Sequence, residues 1–173
     1  MNKRFLIYMA VVAAIAIGIY AYVGGFAQVK VAQTTSKQLF IAGRYFEGPT
    51  DAEELGSLYQ QVGQLVEKKQ LVGELAGIYY NNPKKETKTV KAFIGIAIPD
   101  TTVTLPTGFQ VRVVPAGEPI LEGQVAASLM VAPKKLYNAL FDYAEEHHLK
   151  LREFYVERYP SQDSGIVQVG LQQ

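Results

Sequence analysis

The sequence predicts an α+β fold: a duplicated β-α-β-β unit forming one curved, mostly antiparallel sheet, with two helices on one face and one transmembrane helix ahead of it. Three observations predict it. The chain opens with a long uncharged apolar run. After that run, most segments alternate with period two, and only two stretches repeat at three- and four-residue spacing. The order strand–helix–strand–strand then occurs twice.

The apolar run is Phe5–Phe26, 22 residues without a charge. At about 1.5 Å rise per residue, roughly 20 residues cross a hydrocarbon core. Tyr20 and Tyr22 stand near one end, where an aromatic belt would place them. A cleaved signal peptide is the alternative, but its apolar region is shorter, and Gly24–Ala27 is a poor cleavage site. Length favours a retained anchor. Lys3 and Arg4 precede the span and only Lys30 follows it closely, which puts the N-terminus in the cytoplasm and the domain outside it. Residues 1–27 are then an N-terminal anchor and residues 28–173 a single domain.

Val29–Thr34 is a short alternating strand. Gln38–Glu47 is a longer one, with Gly43 marking a bulge or a close contact. Gly48–Pro49 ends it, and Thr50 or Asp51 is placed to cap a helix with Glu53 and Glu54 in its first turn. Leu55, Leu58, Tyr59, Val62, Leu65 and Val66 give that helix one apolar stripe, ending near Lys69. Gly73–Tyr80 returns as a strand and stops at Asn81–Asn82–Pro83. A polar loop over Lys84–Thr89 leads to the strand Val90–Ile98. After a linker around Pro106, Gly108–Pro115 and Pro119–Ser128 read as two strands. Ala132–Pro133 opens the second helix, whose stripe is Leu136, Tyr137, Leu140, Phe141 and Ala144. Leu151–Pro160 and Gly165–Leu171 are the last strands.

Formal net charge is +1, so no charge excess points to nucleic acid. With no cysteine there is no disulfide framework, zinc–thiolate site or cysteine nucleophile. His147–His148, next to Glu145–Glu146, is a poor chelating pair, because adjacent helical residues diverge by about 100°. No phosphate loop, dinucleotide fingerprint or hydrolase elbow is present. The reading therefore includes no metal and no cofactor.

The chemistry concentrates in Leu151–Pro160, whose alternation puts Glu153, Tyr155, Glu157 and Tyr159 on one face and Phe154 and Val156 on the other. Glu153 is the leading candidate. A carboxylate in an apolar pocket has a raised pKa unless a cation neutralises it, so it either receives cationic ligands or acts as a general acid or base. The alternative is a solvated strand glutamate. Tyr155, Tyr79 and Tyr80 are candidate walls, although alternation sends Tyr79 and Tyr80 to opposite faces. Tyr45 and Phe93 complete the candidate lining. The sheet face without helices is the expected place for a ligand.

The combination of FEGP before the first helix, GIYYNNP after it and EFYVERYP near the C-terminus resembles the gyrase-inhibitor-like (GyrI-like) small-molecule-binding domain. The same domain is the effector-binding module of multidrug-sensing transcription activators. The resemblance spans Gln28 to the C-terminus. It implies the duplicated fold, and a penultimate-strand glutamate in an aromatic pocket that meets hydrophobic or cationic ligands. Glu153 and Tyr155 match its E-x-Y pair, and Ile78–Tyr80 its IYY segment. Some members resemble hydrolases of strained cyclopropane-containing toxins that use a glutamate and a tyrosine, here Glu153 and Tyr155. The sequence departs from the pattern in two places. A span replaces the activators' DNA-binding module, and Asn81–Asn82 stands where Asp often follows IYY.

The expected function is thus a membrane-anchored domain binding a small hydrophobic or cationic molecule. A hydrolase is the alternative, and a protein-interaction module using Lys84–Thr89 is the third reading.

Overall fold

The computed structural model describes residues 3–82 and 88–172. The first helix, α1 (Lys3–Tyr22), has a mean hydropathy of 2.2 over its best window and no buried residue, so it is long and apolar enough to cross a membrane. It unwinds at Gly24, which takes a positive φ of 80°, while Gly25 N–H donates back to Tyr20 O at 2.8 Å.

Eight strands follow: β1 (Lys30–Thr35), β2 (Leu39–Pro49), β3 (Glu74–Tyr79), β4 (Thr89–Ile98), β5 (Gln110–Val114), β6 (Pro119–Val125), β7 (Leu151–Ser161) and β8 (Ser164–Leu171). Helix α2 (Glu53–Glu67) lies between β2 and β3, and α3 (Ala132–Glu146) between β6 and β7. The strands form one antiparallel sheet in the order β1-β6-β8-β7-β3-β4-β2-β5. Read outward from the central β3/β7 pair, the two halves mirror each other. One runs β3, β4, β2 and the other β7, β8, β6, so each β-α-β-β unit contributes three strands and one helix.

The sheet has to curl. β6 and β5 stand six strand spacings apart in the order, roughly 29 Å if flat. Only Pro115–Glu118 connects them, a reach of about 18 Å at full extension. Buried Ser36 fastens the curl: its Oγ donates to Pro115 O at 2.7 Å and accepts from Glu118 N–H at 3.0 Å. Gly43 and Gly95 face each other across β2 and β4 so closely that a Cβ on Gly95 would lie 2.0 Å from Ala42 O. Gly43 is therefore a close contact rather than a bulge.

Both helices cover one face. Leu55, Leu58, Val62 and Leu65 of α2 pack on Ile94 and Ile96 of β4. Leu136, Leu140 and Ala144 of α3 pack on Leu121, Val167 and Val169. These are two separate apolar clusters, and Tyr79 touches both. The groove between the helices lies above β3 and β7. The predicted cap at Thr50 or Asp51 does not form. Ala52 is the N-cap of α2 and makes no side-chain cap bond, because the chain turns one residue later than the sequence suggests. The opposite, concave face carries its own buried residues, among them Ile41, Ile78, Phe93 and Val156. Of the expected polar loop over Lys84–Thr89, residues 84–87, including Lys84–Lys85, lie outside the described residues.

Candidate functional site

The two central strands place Gly77 directly opposite Glu157. Alternation on β7 then turns Tyr155, Glu157 and Tyr159 towards the helices and Phe154, Val156 and Arg158 towards the concave face. Glu157 is only 7% exposed. Its Oε1 accepts from Tyr137 OH of α3 at 2.5 Å, and its Oε2 from Tyr159 OH at 2.8 Å. Burial raises the carboxyl's pKa and the two phenol donors partly offset that rise. No cationic side chain among the described residues contributes to its surroundings.

Beside Glu157 lies a cavity of about 630 Å³. Leu75, Gly77 and Ile94 form its floor, Tyr59 and Val62 its α2 wall, and Leu129 and Pro133 the end next to α3. Thr50, Asn81 and Thr89 close the other end. Tyr59 leans in from α2, 45% exposed as a residue, and shares a 2.6 Å hydroxyl–hydroxyl hydrogen bond with Tyr79. Burial, followed by the Glu157 charge, holds the phenols of Tyr79, Tyr137 and Tyr159 well above their ordinary pKa. All three are therefore neutral donors at physiological pH. The arrangement is an apolar chamber with one buried carboxyl ringed by neutral tyrosines.

The residues singled out from sequence divide between the two faces. Tyr79 lines the inter-helical cavity. Tyr155 is its register partner but lies just under α3, 2% exposed, between the rings of Tyr137 and Phe141 at 5.8 and 6.2 Å. Burial and then the Glu153 charge raise its phenol to about 12. Tyr80, Tyr45 and Phe93 come together on the concave face around Arg112, whose guanidinium lies 5.5, 5.3 and 4.6 Å from their ring centres and donates to Tyr80 OH. Glu153 is exposed and lines neither this cavity nor the concave one. Alternation holds along this stretch, since Leu151 and Tyr155 both pack under α3 and Arg152, Phe154 and Val156 all line the concave cavity. Glu153 misses the groove because it lies beyond the end of β3, whose last paired residue, Tyr79, stands opposite Tyr155.

Glu157 is a candidate that sequence reasoning put on the same strand face as Glu153 but did not select, and that face, expected to be free of helices, is turned towards them. E-x-Y occurs twice in EFYVERY, as Glu153–Tyr155 and as Glu157–Tyr159. Only the second pair reaches the groove. The concave face holds a second cavity of about 400 Å³, lined by Phe154, Val156, Ile120 and the buried Gln168. The expected helix-free binding face is thus one of two hollow faces, and the larger cavity lies on the helical one.

Comparison with protein-family models finds no match, and neither does comparison with curated proteins. Solved structures share the fold. An integron cassette protein from the mobile metagenome of Vibrio cholerae superposes with a TM-score of 0.63 at 13% identity, over 84% of this chain and 99% of that one. The C-terminal domain of EcmrR gives 0.58 at 16% identity, over 84% and 98%. SAV2435, solved bound to tetraphenylphosphonium, gives 0.57 at 7% identity, over 83% and 94%. At these identities the likeness is one of fold: the α+β architecture of this chain is shared with these proteins and is consistent with the GyrI-like fold that the sequence motifs implied.

Proposed function

We propose that this chain is a membrane-anchored receptor for a lipophilic cation, which the inter-helical cavity holds with Glu157 as counter-charge. The observation that carries this reading is a buried carboxyl, bonded by two tyrosine hydroxyls and by no cation among the described residues, at the wall of an apolar chamber. A buried carboxylate without a counter-ion is costly, and a cation that brings its own apolar surface relieves that cost. The electron-rich faces of Tyr59 and Tyr79 add cation–π attraction. A neighbour in fold was solved with tetraphenylphosphonium, which belongs to this ligand class. Residues 1–27 serve as the anchor and residues 28–173 as the binding domain, with the N-terminus cytoplasmic on the strength of Lys3 and Arg4. Protease added outside intact cells should then reach the domain, and protection of the domain would refute that orientation.

The test uses the full chain in nanodiscs with tetraphenylphosphonium as probe. The cation should raise the melting temperature of the wild type and of Glu153→Gln. Glu157→Gln should weaken binding by roughly 10- to 100-fold, the range for a lost charge-assisted contact. Undiminished affinity in Glu157→Gln, or equal stabilisation by neutral isosteres, would overturn the assignment. Chemical change in the recovered probe would favour the hydrolase reading instead.

A further inference from the structure

Three features meet at one end of the cavity. The first is the exit of α1. Val23 O accepts from Ser128 N–H at 3.0 Å, Gly25 O accepts from the Lys135 ammonium, and Gly24 presses on Ala127 so closely that a Cβ there would stand 2.6 Å from Ala127 Cα. The helix is thus seated on the loop between β6 and α3. The second is that loop itself, where Leu129 lines the cavity while its neighbour Met130 is 90% exposed. The third is the start of α3. It carries Lys134 and Lys135 and no acidic residue in its first turn, where the macrodipole disfavours cations.

A large apolar side chain held in water is unfavourable, and exposed Lys134, in the first turn of α3, opposes the macrodipole. Both become favourable against a bilayer, where the thioether enters the acyl boundary and the Lys134 ammonium meets anionic headgroups, while Lys135 holds the exit of α1 through Gly25 O. Exposed Tyr22 and Phe26 stand beside them at the interfacial end of α1. The opposite end of the cavity, at Thr50, Asn81 and Thr89, is polar and lies away from the anchor.

We infer that the loop between β6 and α3 seats on an anionic lipid surface with Met130 inserted, so that the cavity loads from the bilayer past Leu129 and Pro133. The ligand is accordingly a membrane-dissolved cationic amphiphile rather than one taken from water. This inference rests on the span and cavity readings above and adds the route and the contact surface.

The chain has no tryptophan, so a single indole reports one position without background. Full-length Met130→Trp, Met9→Trp and Glu146→Trp are placed separately in phosphatidylcholine/phosphatidylglycerol nanodiscs containing lipids with brominated acyl chains. Glu146 ends α3, roughly 22 Å from its start. Met9→Trp and Met130→Trp should be quenched, with blue-shifted emission at position 130, and Glu146→Trp should not. Quenching at position 9 with none at position 130 beyond the Glu146→Trp level would overturn the docking. No quenching at position 9 would overturn the span and the docking with it.

The route has its own readout. With tetraphenylphosphonium pre-dissolved in the nanodiscs, Met130→Asp should slow capture about ten-fold and leave the final occupancy unchanged. An unchanged rate would refute loading from the bilayer. Equilibrium binding in the same samples reports on the Glu157 cavity independently, so the two failures are distinguishable.

Discussion

Glu157 and its tyrosines make a pH prediction. Burial raises the folded carboxyl's pKa above the unfolded value of about 4.3. The folded protein therefore holds this proton more tightly than the unfolded chain does. The stabilisation is fully present below the unfolded pKa and is lost as pH rises through the folded one. Glu157→Gln keeps an acceptor for one tyrosine and gains a donor for the other, without the titration. The variant's melting temperature relative to wild type should become steadily more favourable over the range upward of about pH 4. A difference that stays constant over that range would show that Glu157 does not titrate in a buried setting. The same charge makes the residue receptive to a cation, so what costs apo stability is what the ligand recovers. Selecting Glu157 over Glu153 needed more than composition. Both head an E-x-Y pair on a strand of alternating polarity, and what separates them is their place along it: Glu157 stands opposite Gly77 of β3, whereas Glu153 lies beyond the stretch that β3 pairs with.

At the scale of elements, the helices and strands follow from local pattern almost throughout. The apolar stripe of α2 is buried at Leu55, Leu58, Val62 and Leu65, the positions its three- and four-residue spacing indicates. The exceptions are places where the chain meets itself. Ala52 has the extended backbone of an N-cap, with φ −65° and ψ 134°, but no side-chain acceptor. Ala52→Ser should therefore stabilise the protein by about 0.5–1 kcal/mol in denaturant titration. A neutral or negative change would mean that the packing of Ala52 against the α2 cluster outweighs the cap. Gly95 has no side chain because β2 leaves no space for one. Gly95→Ala would push a methyl into Ala42 O and should cost about 1–3 kcal/mol, read as a lower urea midpoint with an unchanged slope.

The whole molecule is organised by two contacts far apart in sequence. Ser36 joins the turn before β6 and closes the curl of the sheet, and the β6–α3 loop holds the exit of α1. The second contact bears on where the folded unit begins. Val23 and Gly25 bond to Ser128 and Lys135, so a fragment starting at Val23 keeps contacts that one starting at Gln28 lacks. The longer fragment should melt higher by about 2–4 °C, equivalent to about 1 kcal/mol at this chain length. Equal melting temperatures would make those contacts energetically neutral and place the boundary at Gln28.

By itself the sequence determined the elements, their order, the duplication and the long apolar N-terminal helix, because each rests on periodicity, turn chemistry or length within a few residues. It also pointed to the glutamates and tyrosines of the penultimate strand as the candidate chemistry. Only the tertiary structure decided which glutamate is buried. Both glutamates lie on one strand face, and only the pairing of β3 with β7 from Tyr155 onward puts Glu157 over the cavity and leaves Glu153 beyond it. Tertiary structure alone also gathered Tyr45, Tyr80 and Phe93 around Arg112, on the far side of the sheet from Glu157. It also brought Tyr59 and the loop at Leu129 to one cavity, and Tyr137 to the Glu157 carboxyl at its wall. Those meetings depend on strand order and sheet curl, which are set by the summed packing of both halves.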